Sequence, residues 1–231
     1  MQRCRQSELM DDPHLNVEQH THALHGLERI NRWSASVHTL WSPIQALVAE
    51  EPERTFRILD IATGAGDVPI KFWHRARRAG VRLTIDGCDR SPVAIAHADH
   101  RAKQGRADVH FFELDALTNE IPEGYDVIIC SLFLHHLNGE EAVRLLRSMA
   151  QVAGRLVVIS DLVRSRTGLA LAYLGTRLLS TSAVVRLDGP QSVWAAYTIE
   201  EARVLALQAG MDNVDVLPRW PSRYLLLWKK P

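Results

Sequence analysis

The chain carries no excess of either charge, few cysteines and no long apolar run, and each absence removes a class of function. Lys plus Arg and Asp plus Glu stand at 27 each. Proteins that bind nucleic acid carry a basic surplus that draws phosphate, so no nucleic-acid partner is expected. Cys4, Cys88 and Cys130 are odd in number and scattered. That argues for reduced thiols in a cytoplasmic protein and against a disulfide framework or a cysteine zinc site. No stretch of about 18 uncharged apolar residues occurs, so no membrane span is expected, while peripheral contact with a membrane stays open. The start, "MQRCRQSELMDDPHL", lacks the apolar centre of a secretory signal. Met10 offers a second start, so the first nine residues are read as disordered or as preceding the true one.

What is present fits one large globular unit: 231 residues, 46% of them apolar, with no repeat or low-complexity tract. Helices are expected over 17–30 and 35–49, with Pro43 interrupting the second or opening its last part. Strand and helix signals then alternate. Strands are expected at 56–61, 83–88, 109–114, 125–130 and 155–160, and two more at about 213–217 and 223–228. Between them fall helices from Asp67 to Ala79 and over about 92–104, the latter with Ser91 as cap and Pro92 as first residue. Capping boxes at Asn138/Glu141 and Thr198/Glu201 open two further helices. The alternation predicts a mostly parallel sheet with helices on both faces. Between the fifth strand and the second capping box lie about forty residues, too many for an ordinary crossover, with an apolar, helix-like core, "GLALAYLGTRLLSTSAVV".

The chemistry begins at "RILDIATGAGD", residues 57–67, an apolar strand ending in an acid and a turn through Gly64 and Gly66. A phosphate-binding P-loop needs a lysine after its last glycine, and none follows Gly66. The dinucleotide fingerprint needs a third glycine where Pro69 intervenes. Asp60 and Asp67 flank the helix start where a pyrophosphate would sit, and two carboxylates repel it. They suit a ligand presenting an ammonium or a sulfonium.

With "LDIATGAG", "GCDRSP", "FFELDAL" and "YDVIICSLFLHHL" in this order, residues 53–161 resemble the class I S-adenosylmethionine-dependent methyltransferases. The resemblance is to their type 11, ubiquinone-biosynthesis-like small-molecule subgroup. It implies an α/β fold: a seven-stranded Rossmann-like, mostly parallel sheet with an antiparallel last strand. Residues 1–50 would form an N-terminal helical lid, and 51–231 the methyltransferase domain, with a helical cap inserted at about 162–197. It implies S-adenosylmethionine as cofactor, its methionine tail at Asp60, Ala62, Thr63, Gly64, Gly66 and Asp67. Ala62 stands where the family has its first glycine. Asp89, about twenty residues beyond Gly66, would accept the ribose hydroxyls, flanked by Arg90 and Ser91. Asp115 and Ala116 would meet the adenine, and Ser131 would complete the contact.

His135 and His136 follow the fourth strand at the edge where open α/β sheets bind ligands, and are the candidate bases for an acceptor that arrives protonated. Asp161, just past the fifth strand, is a further base or a partner for Arg164. Arg29, Asn31 and Trp33 in "GLERINRWS" would wall the substrate. Arg164, Arg166 and Arg177 near the apolar insert could hold an acidic group. His20, His22 and His25, and His97 with His100, lack a completing carboxylate or cysteine set, so no metal is expected. The function implied is methyl transfer to a small, apolar acceptor: a phenol, enol, pyrone or quinol, on oxygen or carbon. A non-catalytic cofactor-binding module and a nucleic-acid methyltransferase are the alternatives. Acceptor identity and oligomeric state are not legible.

Overall fold

The computed structural model describes residues 1–231 except 7, 12–14 and 34–35, with side chains also left undescribed at 11, 17, 20, 27–28, 31–33 and 36. The chain runs through α1 (Val17–Trp33), α2 (Ser36–Glu50), β1 (Phe56–Ile61), α3 (Asp67–Ala79), β2 (Leu83–Asp89), α4 (Pro92–Gly105) and β3 (His110–Glu113). It continues through β4 (Tyr125–Ser131), α5 (Gly139–Val152), β5 (Ala153–Leu162), α6 (Arg166–Leu179), α7 (Ala183–Ala195), α8 (Ile199–Gln208), β6 (Asp215–Arg219) and β7 (Arg223–Lys229).

The seven strands form one sheet in the order β3-β2-β1-β4-β5-β7-β6. The first five are parallel to one another, and β7 is antiparallel to both β5 and β6. This is the expected α/β, Rossmann-like sheet with a reversed last strand. The order turns back between β1 and β4, and the crevice above that switch, at the carboxyl ends, is where such sheets take ligands.

Strand alternation sends Leu59, Ile61, Ile128, Val157 and Leu226 to one face, against α5 and α8. Ile58, Val127, Ile129, Leu156 and Leu225 go to the other, against α2 and α3. The caps are as the sequence signals them. Ser91 accepts from Ala94 N, and both capping boxes at Asn138/Glu141 and Thr198/Glu201 are closed. Gly80 ends α3 in the left-handed conformation.

Pro43 neither breaks nor restarts α2, which runs unbroken through it. Leu40, Trp41, Ile44, Leu47 and Val48 are buried against the sheet on both sides of the proline. That packing holds the helix where one missing N–H would weaken an isolated one. The long connection after β5 holds two helices. α6 and α7 pack on each other and on α1, with Ala23, Val184 and Val185 buried between α1 and α7.

Residues 1–6, 8 and 9 are also placed, against the expectation of disorder for the first nine. Cys4 N donates to Trp194 O at 3.1 Å. The Arg3 guanidinium reaches the carbonyls of Ala195, His135 and Leu137 and lies over the Tyr197 ring. Leu9 N and Met10 N both donate to the Asp188 carboxylate. Polar residues with no helical pattern carry no signal of such anchoring, because their partners are carbonyls and side chains far along the chain.

Candidate functional site

The glycine turn leaves β1 through three left-handed residues, Ala62 (φ 54°), Gly64 (φ 54°) and Gly66 (φ 72°). For Ala62 that conformation costs roughly 1–2 kcal/mol, and it persists because the turn is tied down. Thr63 N donates to Cys88 O at 2.9 Å, Gly66 N to Thr63 O at 3.1 Å, and Gly64 N to Asp89 Oδ2 at 2.9 Å. Gly66 is a packing glycine: a Cβ there would stand 2.7 Å from Phe111 Cζ and 2.9 Å from Ala98 Cβ. Gly64 is the opposite case, since a Cβ there meets nothing within 4 Å. It faces a hollow.

The acids of the turn divide. Asp60 is sealed behind it, accepting the Thr63 hydroxyl at 2.7 Å, and does not line the cavity. Burial pushes its carboxyl up to about 7, the Thr63 hydrogen bond pulling down and the Asp89 and Asp67 charges adding to the rise. Asp67 does line the cavity, yet it is paired to Arg101 at 2.9 Å and Lys71 at 3.8 Å. Asp89 pins the turn through Gly64 N and accepts Ser91 N at 2.9 Å with its other oxygen. Arg90 is exposed beside it and Ser91 caps α4. One strand further out, Asp115 accepts Leu117 N at 3.0 Å, and Ala116 packs half-buried against the core.

The other wall is built at the ends of β4 and β5. Ser131 ends β4 and lines the cavity, and Leu132 follows with φ 56°, a strained position for a large side chain. Leu132 N is tied to Ser160 O at 2.9 Å, and the chain then enters a 3-10 turn, Leu134–His136. That turn drives His135 into the interior. Its Nδ1 lies 2.6 Å from Asp161 Oδ1, and its backbone N donates to Asp161 Oδ2 at 3.0 Å. Burial alone would raise the Asp161 carboxyl. The His135 charge and hydrogen bond and the N–H groups of Leu162 and His135 outweigh it and hold the carboxyl below its ordinary value. An ionised carboxylate only accepts, so Nδ1 carries the hydrogen and Nε2 faces the other way.

What Nε2 faces comes from the far end of the chain. Glu8 sets Oε1 3.7 Å from His135 Nε2 and Oε2 3.8 Å from His136 Nε2. Ser192 Oγ donates to the same carboxylate at 2.5 Å. The two histidine rings are 4.3 Å apart, and His136 stacks on Phe133. Arg223, at the start of β7, is buried and lines the same cavity; burial pushes its guanidinium down to about 10, with Asp161 opposing.

One cavity of about 290 Å³ joins the glycine turn to the ends of β4 and β5, and Asp89, Arg90, Ser91, Asp115 and Ala116 do not line it. It runs from Thr63, Gly64 and Asp67 past Ser131 to Glu8, His135 and His136. Its roof is apolar: Leu24 and Ile30 of α1, Leu171 and Ala172 of α6, and Val193 of α7.

The expected substrate wall on α1 sits elsewhere. Arg29 Nε donates to Leu179 O at 2.8 Å, capping the carboxyl end of α6, and does not line the cavity. Asn31 and Trp33 stand in the last turn of α1, but their side chains lie outside the described residues. Arg164 is spent on Met1 O, Ala196 O and Glu201, Arg166 is exposed, and Arg177 covers the Tyr173 ring. The cation of the cavity is Arg223 instead, which the sequence presents as the first residue of an apolar strand. His22 is exposed and bonded to Thr181, His25 meets the His97 ring edge-on, and His100 bonds Gln104. The His20 side chain lies outside the described residues. Sequence reasoning missed Glu8 and Arg223, whose contacts no local pattern encodes. Among the described residues no helix is long and apolar enough to cross a membrane.

Comparison with known proteins agrees with this geometry. Residues 58–154 match the family described as the methyltransferase domain. A demethylmenaquinone methyltransferase from Thermus thermophilus is 35% identical over 105 residues, 45% of this chain and 46% of that protein. The chain thus matches about half the length of that relative. Among solved structures, the magnesium protoporphyrin IX methyltransferase from Synechocystis with bound S-adenosylhomocysteine (SAH) superposes with a TM-score of 0.59. It is 19% identical, with 84% of this chain and 83% of that one covered. A plantazolicin methyltransferase in complex with a triazolic desmethylplantazolicin analogue and SAH gives 0.63 at 14% identity, over 93% and 98% of the chains. At such identities these structures speak for the shared fold.

Proposed function

We propose, from the premise that residues 58–154 are a methyltransferase domain on a class I fold, that this protein transfers the methyl group of S-adenosylmethionine to a small, apolar acceptor. The observation that carries this reading is the continuity of the cavity. It joins the open Gly64 turn at one end to the Glu8, His135 and His136 corner at the other.

The chain's own groups divide the work. Thr63, Gly64 and Asp67 would receive the methionine tail, Asp89 and Asp115 the ribose and adenine. Asp67 lines this end of the cavity with its charge shared by Arg101 and Lys71. Bound there, the cofactor supplies an activated methyl group on a cationic sulfur. The protein's contribution is alignment and a dry site, for which the roof of Leu24, Ile30, Leu171 and Val193 is suited. The acceptor would sit under that roof with its hydroxyl or enol oxygen toward His135. There His135 Nε2 and the Glu8 carboxylate form an electron-rich corner that can hold positive charge as the oxygen gives up its proton. An apolar ring fits the roof; Arg223 favours a group that carries or develops negative charge.

The test is calorimetric titration with SAH, with NADH as control, followed by mass spectrometry of phenols and enols incubated with S-adenosylmethionine. Micromolar SAH binding and a product heavier by one methylene support the reading. Binding of NADH instead of SAH overturns it.

A further inference from the structure

We propose that Glu8, His135 and His136 form a binding site for one divalent transition-metal cation, of the zinc class, at the acceptor end of the cavity. The ligand atoms of these residues all lie within 4.8 Å of one another. The carboxylate oxygens of Glu8 stand 3.7 Å from His135 Nε2 and 3.8 Å from His136 Nε2. Those gaps are too long for hydrogen bonds, which end near about 3.2 Å. They run to the two different oxygens of Glu8, so a tetrahedral zinc, with edges of about 3.4 Å at bonds of about 2.0–2.1 Å, would take one of those oxygens and draw the farther imidazole in.

The surroundings match a metal site in further ways. His135 turns Nδ1 to Asp161 at 2.6 Å, so Nε2 is the nitrogen that points into the corner. A carboxylate behind a ligating imidazole fixes the ring and raises its basicity. Ser192 Oγ, donating at 2.5 Å, orients the Glu8 carboxylate in the same manner. Two imidazoles and one carboxylate suit zinc, cobalt or manganese better than magnesium or calcium, which prefer all-oxygen sets. Glu8 and Asp161 offset a double positive charge, with the Arg223 guanidinium of the same cavity opposing. Arg3 and Arg5 point to the main-chain carbonyls of His135, His136 and Leu137, holding the turn instead of facing the gap.

All three residues line the cavity, so a fourth coordination position opens into it. Three protein ligands with one open position is the arrangement of a catalytic site. The role rests on the methyl-transfer reading above. An acceptor hydroxyl taking the fourth position loses its proton to water and stays as a metal-bound oxygen anion. Its electron pair then forms the O–CH3 bond while the S–CH3 pair returns to sulfur, leaving the methyl ether and SAH. Histidine then holds the cation instead of taking the proton.

The test uses the full chain, stripped with a chelator and dialysed, then titrated with Co2+ followed by visible absorption and with Zn2+ by calorimetry. The expected result is one cation per chain with micromolar or tighter affinity and the intense bands of low-coordinate Co2+. Glu8→Gln and His136→Asn should each weaken binding at least tenfold while circular dichroism and SAH affinity stay unchanged. No stoichiometric binding, or equal binding by both variants, overturns the proposal. Metal binding without SAH binding would leave the site standing and sink the methyl-transfer reading instead.

Discussion

Asp161 accepts two hydrogen bonds from one residue, His135: the ring Nδ1 at 2.6 Å and the backbone N at 3.0 Å. The pair joins the end of β5 to the turn after β4 and fixes both the position and the tautomer of the imidazole. In Asp161→Asn the new amide can donate to Nδ1 and move the ring hydrogen to Nε2, the atom that faces Glu8. Methyl transfer should fall on the order of 10²-fold or more, with SAH affinity unchanged. Ring ¹⁵N shifts of His135 report the tautomer directly. A variant of normal activity with its hydrogen still on Nδ1 would remove Asp161 from the positioning role.

Asp89, proposed above as the ribose contact, also holds the glycine turn. Asp89→Ala removes the acceptor of Gly64 N and Ser91 N together. Charged hydrogen bonds contribute roughly 1.5–3 kcal/mol each, so SAH should bind at least about tenfold more weakly. Calorimetry at constant salt measures it. Unchanged affinity would place the ribose elsewhere.

Gly64 and Gly66 share a motif and a backbone conformation but should fail differently. Alanine at 66 meets Phe111 and Ala98 at 2.7 and 2.9 Å. Strain and overpacking together should cost about 2–4 kcal/mol, lowering Tm by roughly 5–15 °C. Alanine at 64 enters open space and pays only the left-handed strain, about 1–2 kcal/mol. Its larger effect should be on SAH affinity, because the methyl projects into the cavity. Thermal melts with and without SAH separate the two.

The parts legible in the sequence are those where local chemistry and local geometry coincide. Ser91 with Pro92, the two capping boxes and Gly80 each specify a helix end within a few residues, and the apolar runs specify the strands. The turn at Gly64 and Gly66 was legible for the same reason, since left-handed backbone needs glycine. Glu8 was not legible. It meets His135 and His136 only because Arg3, Arg5 and the amides of Leu9 and Met10 are fastened to groups far along the chain. Arg223 was hidden by its setting, a charge opening a strand whose other residues advertise a core. Asp60 misled in the other direction: an acid beside a ligand turn reads as a contact, while the fold turns it inward to hold Thr63.

Removing residues 1–9, so that the chain starts at Met10, tests what the leading segment does. The cavity loses Glu8, and the His135 turn loses the Arg3 and Arg5 bonds to its carbonyls. The glycine turn and Asp89 are untouched. SAH affinity should stay within about twofold, while methyl transfer to any acceptor found should drop at least tenfold, since positioning contributes several kcal/mol. Full activity of the shortened chain would make the segment a surface attachment.

Asp60 gives stability a pH dependence of definite sign. Its folded carboxyl is pushed up to about 7 by burial, against about 3.9 in an unfolded chain. Below the lower value both states bind the proton and the group contributes nothing. Between the two values the folded state binds more protons than the unfolded one, so stability falls as pH rises, by about 1.4 kcal/mol per pH unit. Above the upper value the full penalty is in place. Asp60→Asn keeps an oxygen for the Thr63 hydroxyl and cannot ionise, so its unfolding free energy should lack this slope. Denaturant melts of both proteins at pH 5, 6, 7 and 8 measure the difference. The variant should gain on the wild type from pH 5 to 7 and the gap should level off at pH 8. Parallel curves would mean that water or a cation reaches Asp60 Oδ1, and that the acid is less sealed behind the turn than its contacts indicate.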